Sequence, residues 1–330
     1  METLRLTRDV TSLPESFWLH PDSPALAFAT SGTTGEPRWI EHSRDALLLS
    51  AAAVNRCFAA TPQDIWLRAL PLFHVAGVGV EARAFAAGCK LVRMECAWDA
   101  TEFINLVDRE KATLTSLVPT QVFDLVQTGL PAPASLRAVL VGGGRMESEL
   151  AERSKQLGWP LRCSYGLTEA ASTVGVEDGA GRLLLLDVWE ARVSAGGLLE
   201  LRSLILPSAD WLVTSDRAEV SGREMRWLGR ADLLVKICGE LVDIGKVETS
   251  LSKLAGRQIT VLALPDARTE NRLVASQVGL EILEQHHACC PPLERISGLV
   301  PEKYLQRSAL GKIRRTATVA GIPAREIQIL

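Results

Sequence analysis

Glycine, serine and threonine are concentrated in the stretch FATSGTTGEPRWIEHS, which spans residues 28–43. A loop of this composition between two strands can aim backbone N–H groups and hydroxyls at one spot, where they bind phosphate oxygens. Glycine allows the backbone angles that such a loop requires. The Walker sequence is absent, because Glu36 and Pro37 follow Gly35. The stretch therefore predicts either a phosphate-binding loop or a structural turn.

The stretch SYGLTEAAST at residues 164–173 combines an aromatic ring, a carboxylate and several hydroxyls. Mg²⁺ prefers a few protein oxygens supplemented by water and substrate phosphates. Thr168 and Glu169 therefore predict a Mg²⁺ and phosphate site, with a solvated loop as the alternative. One imidazole, His74, lies in the apolar, glycine-spaced run LPLFHVAGVGV, a pattern that fits a packed residue as well as a base.

Charged residues that could bind a nucleotide follow in the second half of the chain. Asp216 lies in TSDRAEV, and Arg230 and Asp232 lie in GRADLLVKICGE. A carboxylate can accept both hydroxyls of a ribose, and an arginine can donate to the same sugar or to phosphate. Lys312 follows a glycine in LGKIRR, where its ammonium suits a negatively charged transition state. Solvated surface charges and a frayed basic tail are the alternatives.

The composition is that of an ordinary globular protein. The chain has 330 residues, 47% of them hydrophobic and 23% charged. A net charge of −3 provides no general field for nucleic acid, so the expected partners are small molecules. The N-terminus lacks the apolar core of a signal peptide, and the run Ala46–Val54 is too short to span a bilayer. Seven scattered cysteines favour a reducing cytoplasm.

Strand-like runs alternate with helical patterns and predict an α/β fold. The runs ALAFAT, ATLTSLV and LRAVLVGGG precede helices that are expected to begin near Ser43, Thr120 and Met146. Gly142 to Gly144 resemble a nucleotide turn, but Glu147 stands where a dinucleotide motif needs its third glycine. From about Arg182 short strands separated by turn signals predict a small β-rich subdomain.

The last hundred residues have the size of a small domain. We place the boundary at Ala231/Asp232, which gives an N-terminal domain of residues 1–231 and a small, mobile α+β C-terminal domain of residues 232–330.

Taken in order, these motifs resemble the adenylate-forming (AMP-binding) superfamily of acyl-CoA synthetases, adenylation domains and luciferases. The resemblance runs from about Ala25 to Arg315 and rests on TSGTTGEPR, SYGLTE, TSD, GRADLLVKICGE and GKIRR. Within the superfamily the chain is most similar to the o-succinylbenzoate-CoA ligases of menaquinone biosynthesis, through LPLFHVAG, ATLTSLVPTQ, LRAVLVGGG, YGLTEAASTV and TSDRAEV. The resemblance implies ATP, Mg²⁺ and coenzyme A as cofactor and co-substrates.

The same resemblance implies roles for single residues. Thr168 contacts the α-phosphate, Glu169 binds Mg²⁺, and Arg38 and Lys312 supply positive charge during catalysis. The β,γ-phosphates of ATP are held by Thr30, Ser31, Gly32, Thr33, Thr34 and Gly35. The adenine is held by Gly142, Gly143, Gly144, Ser164, Tyr165 and Gly166. The ribose is held by Asp216 and Arg230, and Asp232 is the hinge. The acid pocket is lined by His74, Ser116, Gly143, Ser172 and Thr173.

Three departures from the family pattern stand out. Arg38 replaces the usual lysine, and the ribose motif reads Thr-Ser-Asp where Thr-Gly-Asp is common. About thirty residues precede the phosphate loop, so a compact or partly lost N-terminal subdomain is expected. Two other functions stay open: ligation of a different carboxylic acid, and nucleotide or acyl-adenylate binding without turnover. A homo-oligomer is compatible with the sequence, and no membrane insertion is expected.

Overall fold

The computed structural model describes residues 3–30, 38–144, 146, 148–238, 240–276, 278–307 and 313–330. The chain divides into two compact units. The first consists mainly of Trp39–Thr214 with Glu219–Arg226, and the second contains Ser215–Ala218 and Trp227–Leu330. The boundary at Ala231/Asp232 stays a prediction. None of the described helices is both long and apolar enough to cross a membrane.

A three-stranded sheet opens the chain. The strands of this sheet lie in the order β1, β2, β3, and β1 is parallel to β2. Leu26, Ala27 and Phe28 are buried, which fixes the middle strand in the core. In chain order the elements are β1 (Thr3–Arg5), α1 (Glu15–Leu19), β2 (Ala25–Thr30) and β3 (Arg38–His42).

The centre of the first unit is a parallel α/β layer. In chain order its elements are α2 (Arg44–Phe58), β4 (Ile65–Arg68), α3 (Val75–Ala87), β5 (Lys90–Arg93), α4 (Ala100–Glu110), β6 (Leu114–Leu117), α5 (Pro119–Gln127), β7 (Ala138–Val141), α6 (Ser148–Gln156) and β8 (Leu161–Leu167). The parallel strands pair in the order β5, β4, β6, β7, β8. Their carboxyl ends therefore lie along one edge, where α/β folds bind ligands.

Local signals explain where these helices begin. The side chain of Ser43 accepts the backbone N–H of Ala46 and caps α2, and Asp99 caps α4 through the N–H of Glu102. In α4 the buried residues Phe103, Ile104, Leu106 and Val107 recur with helical spacing, so one face of the helix packs on the core.

The sheet continues with antiparallel strands. A 3₁₀ turn at Thr168–Ala170 leads into β9 (Ser172–Glu177), followed by β10 (Leu183–Leu185), β11 (Glu190–Val193), β12 (Leu198–Arg202), β13 (Leu212–Ser221) and β14 (Glu224–Arg230). The full order is β11, β12, β13, β14, β10, β9, β8, β7, β6, β4, β5. The strands predicted after Arg182 are therefore neighbours in the same sheet as the parallel layer.

The second unit has two small sheets and three helices among its described residues. β15 pairs with β16, and a four-stranded sheet has the order β17, β18, β19, β20. Val247 and Leu251 of α7 pack with Ile259 and Val261 in its core. The elements are β15 (Leu234–Ile237), β16 (Glu240–Asp243), α7 (Ile244–Ala255), β17 (Thr260–Asp266), β18 (Glu270–Ser276), α8 (Leu280–Cys289), β19 (Ile296–Val300), α9 (Arg315–Gly321) and β20 (Gln328–Ile329).

Candidate active site

A glycine turn follows β7 at the carboxyl edge of the parallel strands. The N–H of Gly142 donates to the carbonyl of Leu117 at 3.1 Å, and Gly143 has φ of +78°. A Cβ on Gly142 would lie 2.8 Å from the Oγ of Ser164, so only glycine fits beside that hydroxyl. Ser164 in turn donates to the carbonyl of Val141 at 3.0 Å. The structure thus brings Gly142, one of the predicted adenine residues, beside Ser164, while Gly143 and Gly144 lie next to Val118 and Pro119.

The turn that carries Thr168 and Glu169 joins β8 to β9. Gly166 faces Thr173 across the hairpin, and a Cβ on Gly166 would lie only 1.7 Å from the carbonyl oxygen of Ser172. Ser172 has φ of +93°, a conformation that costs a non-glycine residue about 1–3 kcal/mol. The close approach of these backbones fixes where the Thr168 hydroxyl and the Glu169 carboxylate are presented.

His42, at the end of β3, anchors the same turn and was not predicted as a site residue. Its Nε2–H donates to the carbonyl of Thr168 at 2.6 Å. The imidazole is buried, and burial lowers the pKa of His42, although the bond to Thr168 and the charge of Glu169 oppose that shift. His42 is therefore a neutral donor that holds the turn in place.

Arg83 of α3 is the second residue that the sequence did not single out. Its Nη1 donates to the Oγ of Ser116 at 2.8 Å and its Nη2 donates to the Oγ1 of Thr173 at 3.2 Å. The residue is 2% exposed, and its guanidinium lies 5.5 Å from the centre of the Trp66 ring. Burial lowers the pKa of Arg83 to about 10, so the side chain stays charged at neutral pH.

No carboxylate neutralises this charge within the described part of the chain. Arg83 has no carboxylate oxygen within ion-pair distance there, and its Nε is buried without a hydrogen-bond partner. Glu81 points to other cations instead, with one oxygen 3.1 Å from Arg68 and 3.0 Å from Arg93. An unpaired buried cation is costly, which makes Arg83 a strong candidate for binding an anionic ligand.

Glycines on α3 allow this arrangement. A Cβ on Gly79 would lie 3.3 Å from Nη2 of Arg83 and 3.8 Å from Cβ of Ser172. His74 begins the same helix and its ring centre lies 4.3 Å from that of Phe73. Of the predicted pocket residues, Ser116, Ser172 and Thr173 are therefore brought together around Arg83, and His74 lies at the start of the helix that carries it.

The predicted ribose and hinge residues belong to the second unit. Asp216 is buried and its Oδ1 accepts the indole N–H of Trp227 at 3.0 Å. Arg230 binds Asp232 through two hydrogen bonds of 2.8 and 2.6 Å. The two side chains of that pair are 46% and 33% exposed, so water competes with the interaction.

Tyr165 lies in β8, between Ser164 and Gly166. Thr30 ends β2, and Arg38 begins β3 as an exposed residue. Outside the described residues lie Ser31, Gly32, Thr33, Thr34, Gly35 and Lys312.

Comparison with known proteins identifies the family of this chain. A family model described as AMP-binding enzyme matches residues 3–201. The chain belongs to the AMP-binding enzymes. This AMP-binding enzyme is 34% identical over 235 residues to the 2-succinylbenzoate–CoA ligase of Salmonella typhimurium, with 66% of this chain and 50% of that protein covered. It is 30% identical over 334 residues to the probable 2-succinylbenzoate–CoA ligase of Mycobacterium tuberculosis, with 90% and 84% covered.

Solved structures agree on the fold. The o-succinylbenzoate CoA synthetase (MenE) of Bacillus subtilis in complex with the acyl-adenylate intermediate OSB-AMP aligns with a TM-score of 0.79 at 23% identity, covering 88% of this chain and 68% of that one. The same synthetase in complex with ATP and magnesium ion aligns with a TM-score of 0.78 at 21% identity, with the same coverage.

The chain spans about half the length of the Salmonella relative. The predicted family and the predicted α/β fold are confirmed by these matches. The roles of the individual site residues stay predictions.

Proposed function

We propose that this AMP-binding enzyme is an ATP-dependent acid–CoA ligase that acts on o-succinylbenzoate in menaquinone biosynthesis. The names of its relatives support this reaction class. Seven free cysteines support a reducing, cytoplasmic location. The observation that carries the substrate proposal is Arg83, a buried guanidinium bonded to two hydroxyls of the predicted acid pocket.

o-Succinylbenzoate has two carboxylates, and only one of them is activated. The other needs a charged partner if it is to leave water, because burying an unpaired carboxylate is expensive. Arg83 supplies that charge, and Ser116 and Thr173 fix the orientation of its planar fork. A guanidinium group that is already held in one orientation binds a carboxylate through two N–H groups without losing much side-chain entropy.

In the first step the reacting carboxylate attacks the α-phosphorus of ATP. The bond from that phosphorus to the bridging oxygen breaks, and pyrophosphate leaves as the acyl-adenylate forms. Negative charge moves onto the leaving oxygens, where Arg38 and Lys312 offset it. His42 holds the carbonyl of Thr168, so the turn presents its hydroxyl to the α-phosphate in a fixed position.

The residues of this turn also fit Mg²⁺. Glu169 is a partly buried residue that follows Thr168 in the turn, and Mg²⁺ takes one or two protein oxygens together with substrate phosphates. When bound, the ion supplies charge compensation at the phosphate oxygens.

In the second step the thiol of coenzyme A attacks the acyl carbonyl and AMP leaves. We propose that the C-terminal segment turns about Asp232 between the steps, which withdraws Lys312 and brings residues 236–240 to the acyl group. The hydrogen bonds between Arg230 and Asp232 join neighbours across this hinge.

Release of pyrophosphate tests the function. The protein is incubated with ATP and Mg²⁺ and with o-succinylbenzoate, benzoate or a fatty acid in turn, and pyrophosphate is measured with and without coenzyme A. Of the three acids, we expect only o-succinylbenzoate to cause release of pyrophosphate. When coenzyme A is also present, we expect its thioester with this acid to form. Release of pyrophosphate with another acid instead would identify that acid as the substrate. No release with any acid would indicate a nucleotide-binding protein without turnover.

A further inference from the structure

A small cavity lies in the first unit. Its volume is about 280 Å³, and it is bordered by the end of α2, the start of β8 and the strands β9 and β10. This is close to the lower end of the range for small-molecule pockets, roughly 300–1,000 Å³. Val176 and Leu184, which are paired across β9 and β10 and so share one face of the sheet, provide the apolar part of the lining. None of the residues predicted to bind ATP or the acid lines this cavity.

Three arginines also line it, and their charges are not equally balanced. Arg56 forms two hydrogen bonds with Asp187, at 2.7 and 2.6 Å, so its charge is compensated. Arg162 donates through Nε to the carbonyl of Glu177 at 2.5 Å. Arg223 donates twice to the carbonyl of Leu185, at 3.1 and 2.6 Å.

Carbonyl oxygens orient the guanidinium groups of Arg162 and Arg223 but do not neutralise them. Across the described ranges neither arginine forms an ion pair with a carboxylate. Each keeps N–H groups that these carbonyls do not use, since a guanidinium has five donors. Two carboxylates, Asp178 and Asp187, line the same space, but they are bonded to Arg182 and Arg56. The guanidinium groups of Arg162 and Arg223 are thus the lining charges that form no ion pair among the described residues.

Cys57 lines the same cavity as Arg162 and Arg223. Burial raises the pKa of its thiol. The positive charges of Arg162 and Arg223 act in the opposite direction on that one sulfur, while Asp187 reinforces the rise. Both guanidinium groups are therefore close enough to influence an anion placed beside Cys57.

We propose that this cavity binds a small organic carboxylate, separate from the acid that the enzyme activates. The carboxylate lies between Arg162 and Arg223, and the apolar body of the ligand rests on Val176 and Leu184. An inorganic anion would leave these apolar side chains exposed to water, so the combination favours an aryl or alkyl acid.

Alkylation of Cys57 tests the site directly. The protein is treated with iodoacetate, which is anionic, or iodoacetamide, which is neutral, and peptides are quantified by mass spectrometry. Cys96 is exposed and serves as the internal reference. We expect the ratio of iodoacetate to iodoacetamide labelling to be about threefold to fivefold higher at Cys57 than at Cys96, the effect of a nearby cation at a partly exposed site. Equal ratios would overturn the proposal.

Competition identifies the ligand class. Benzoate is expected to slow labelling of Cys57 by iodoacetamide, whereas the neutral isostere benzamide is not. Equal protection by benzamide would remove the role of charge, and equal protection by inorganic phosphate would remove the role of the apolar side chains.

Paired variants separate this cavity from the proposed active site. In the double variant R162Q/R223Q the benzoate effect at Cys57 should disappear. The control Arg226→Gln, an exposed arginine paired with Glu219, should keep it. Protection that survives in a folded R162Q/R223Q protein would mean that benzoate acts from elsewhere, which contradicts the proposal.

Discussion

The residues proposed to bind the acid, in the first unit, and the predicted ribose and hinge residues, in the second unit, are held in opposite ways. Arg83 is buried and bonded to Ser116 and Thr173, which come from two different strands. Arg230 is bonded to Asp232, two residues away, and both side chains are partly exposed. The first arrangement is fixed by the fold, and the second can exchange partners at little cost, since exposed pairs contribute about 0.2–1 kcal/mol.

This difference suits a two-step ligase. A preorganised pocket selects the acid before any bond forms, whereas charges that act on ATP must be available in one step and removable in the next. Substitutions on the nucleotide side should therefore change one half-reaction or the dependence on ATP. Substitutions around Arg83 should change the choice of acid.

The largest effect is expected for Lys312→Ala. One group aimed at developing charge is worth about 3–4 kcal/mol, so adenylation should slow by roughly a hundredfold to a thousandfold. Thioester formation from preformed acyl-adenylate should change far less. Single-turnover assays of the two half-reactions measure this, and an equal loss in both would refute the proposed hinge.

A smaller effect is expected for Asp216→Asn. Asparagine keeps an oxygen for the indole N–H of Trp227 but loses the charge that accepts the ribose hydroxyls. A hydrogen bond to a charged group is worth about 1.5–3 kcal/mol, so KM for ATP should rise about tenfold to a hundredfold. Steady-state kinetics with each substrate varied should show an unchanged KM for the acid. A change confined to the acid would reverse the assignment.

Arg38→Ala should raise KM for ATP severalfold, because Arg38 occupies the position of the family's lysine in an exposed setting. The matched variant Arg38→Lys keeps the charge and should stay active. If the alanine variant has the same ATP dependence as the parent, Arg38 is an ordinary surface charge.

The smallest effect concerns His42 and pH. Burial lowers the pKa of His42 from its ordinary value of 6.5, so the unfolded chain binds a proton that the folded chain does not. Stability should fall as the pH drops below that value. His42→Gln keeps a donor for Thr168 without titrating, so it should lose less stability than the parent protein between pH 7 and about pH 5.5.

Thermal unfolding at a series of pH values measures this difference. Burial also lowers the pKa of His287, whose Nε2 accepts the N–H of Ile296. The variant His287→Gln is therefore the control that measures how much of the pH dependence comes from a histidine of the second unit. Identical pH slopes for His42→Gln and the parent protein would show that His42 does not carry this linkage.

Much of the fold was predictable because its signals are local. The residue Ser43 caps α2 where a helix was expected, and the apolar runs before Thr120 and Gly142 form parallel strands. The glycine turn after β7 was also visible, because a glycine-rich segment directly after an apolar strand is typical of a tight turn.

The acid pocket was less predictable, because its central contacts join distant positions. Arg83 binds Ser116 and Thr173, which are 33 and 90 residues away along the chain. The available signal was an arginine four residues after Gly79 in a helix whose other residues, apart from Glu81, are small or apolar. His42 carried no such signal, since only the folded hairpin brings Thr168 to it.

The central claim is that Arg83 binds the carboxylate that does not react. It is tested by comparing kcat/KM for o-succinylbenzoate with kcat/KM for the analogue that keeps the reacting carboxylate and lacks the other, in the parent protein and in Arg83→Gln. Glutamine retains N–H donors for Ser116 or Thr173, and Arg93→Gln controls for loss of an arginine near Glu81.

In the parent protein and in Arg93→Gln we expect o-succinylbenzoate to be preferred by about a hundredfold, the worth of a buried charge-assisted pair. In Arg83→Gln the two acids should react at similar rates, with the analogue unaffected by the substitution. A preference that stays about a hundredfold in Arg83→Gln would contradict the account.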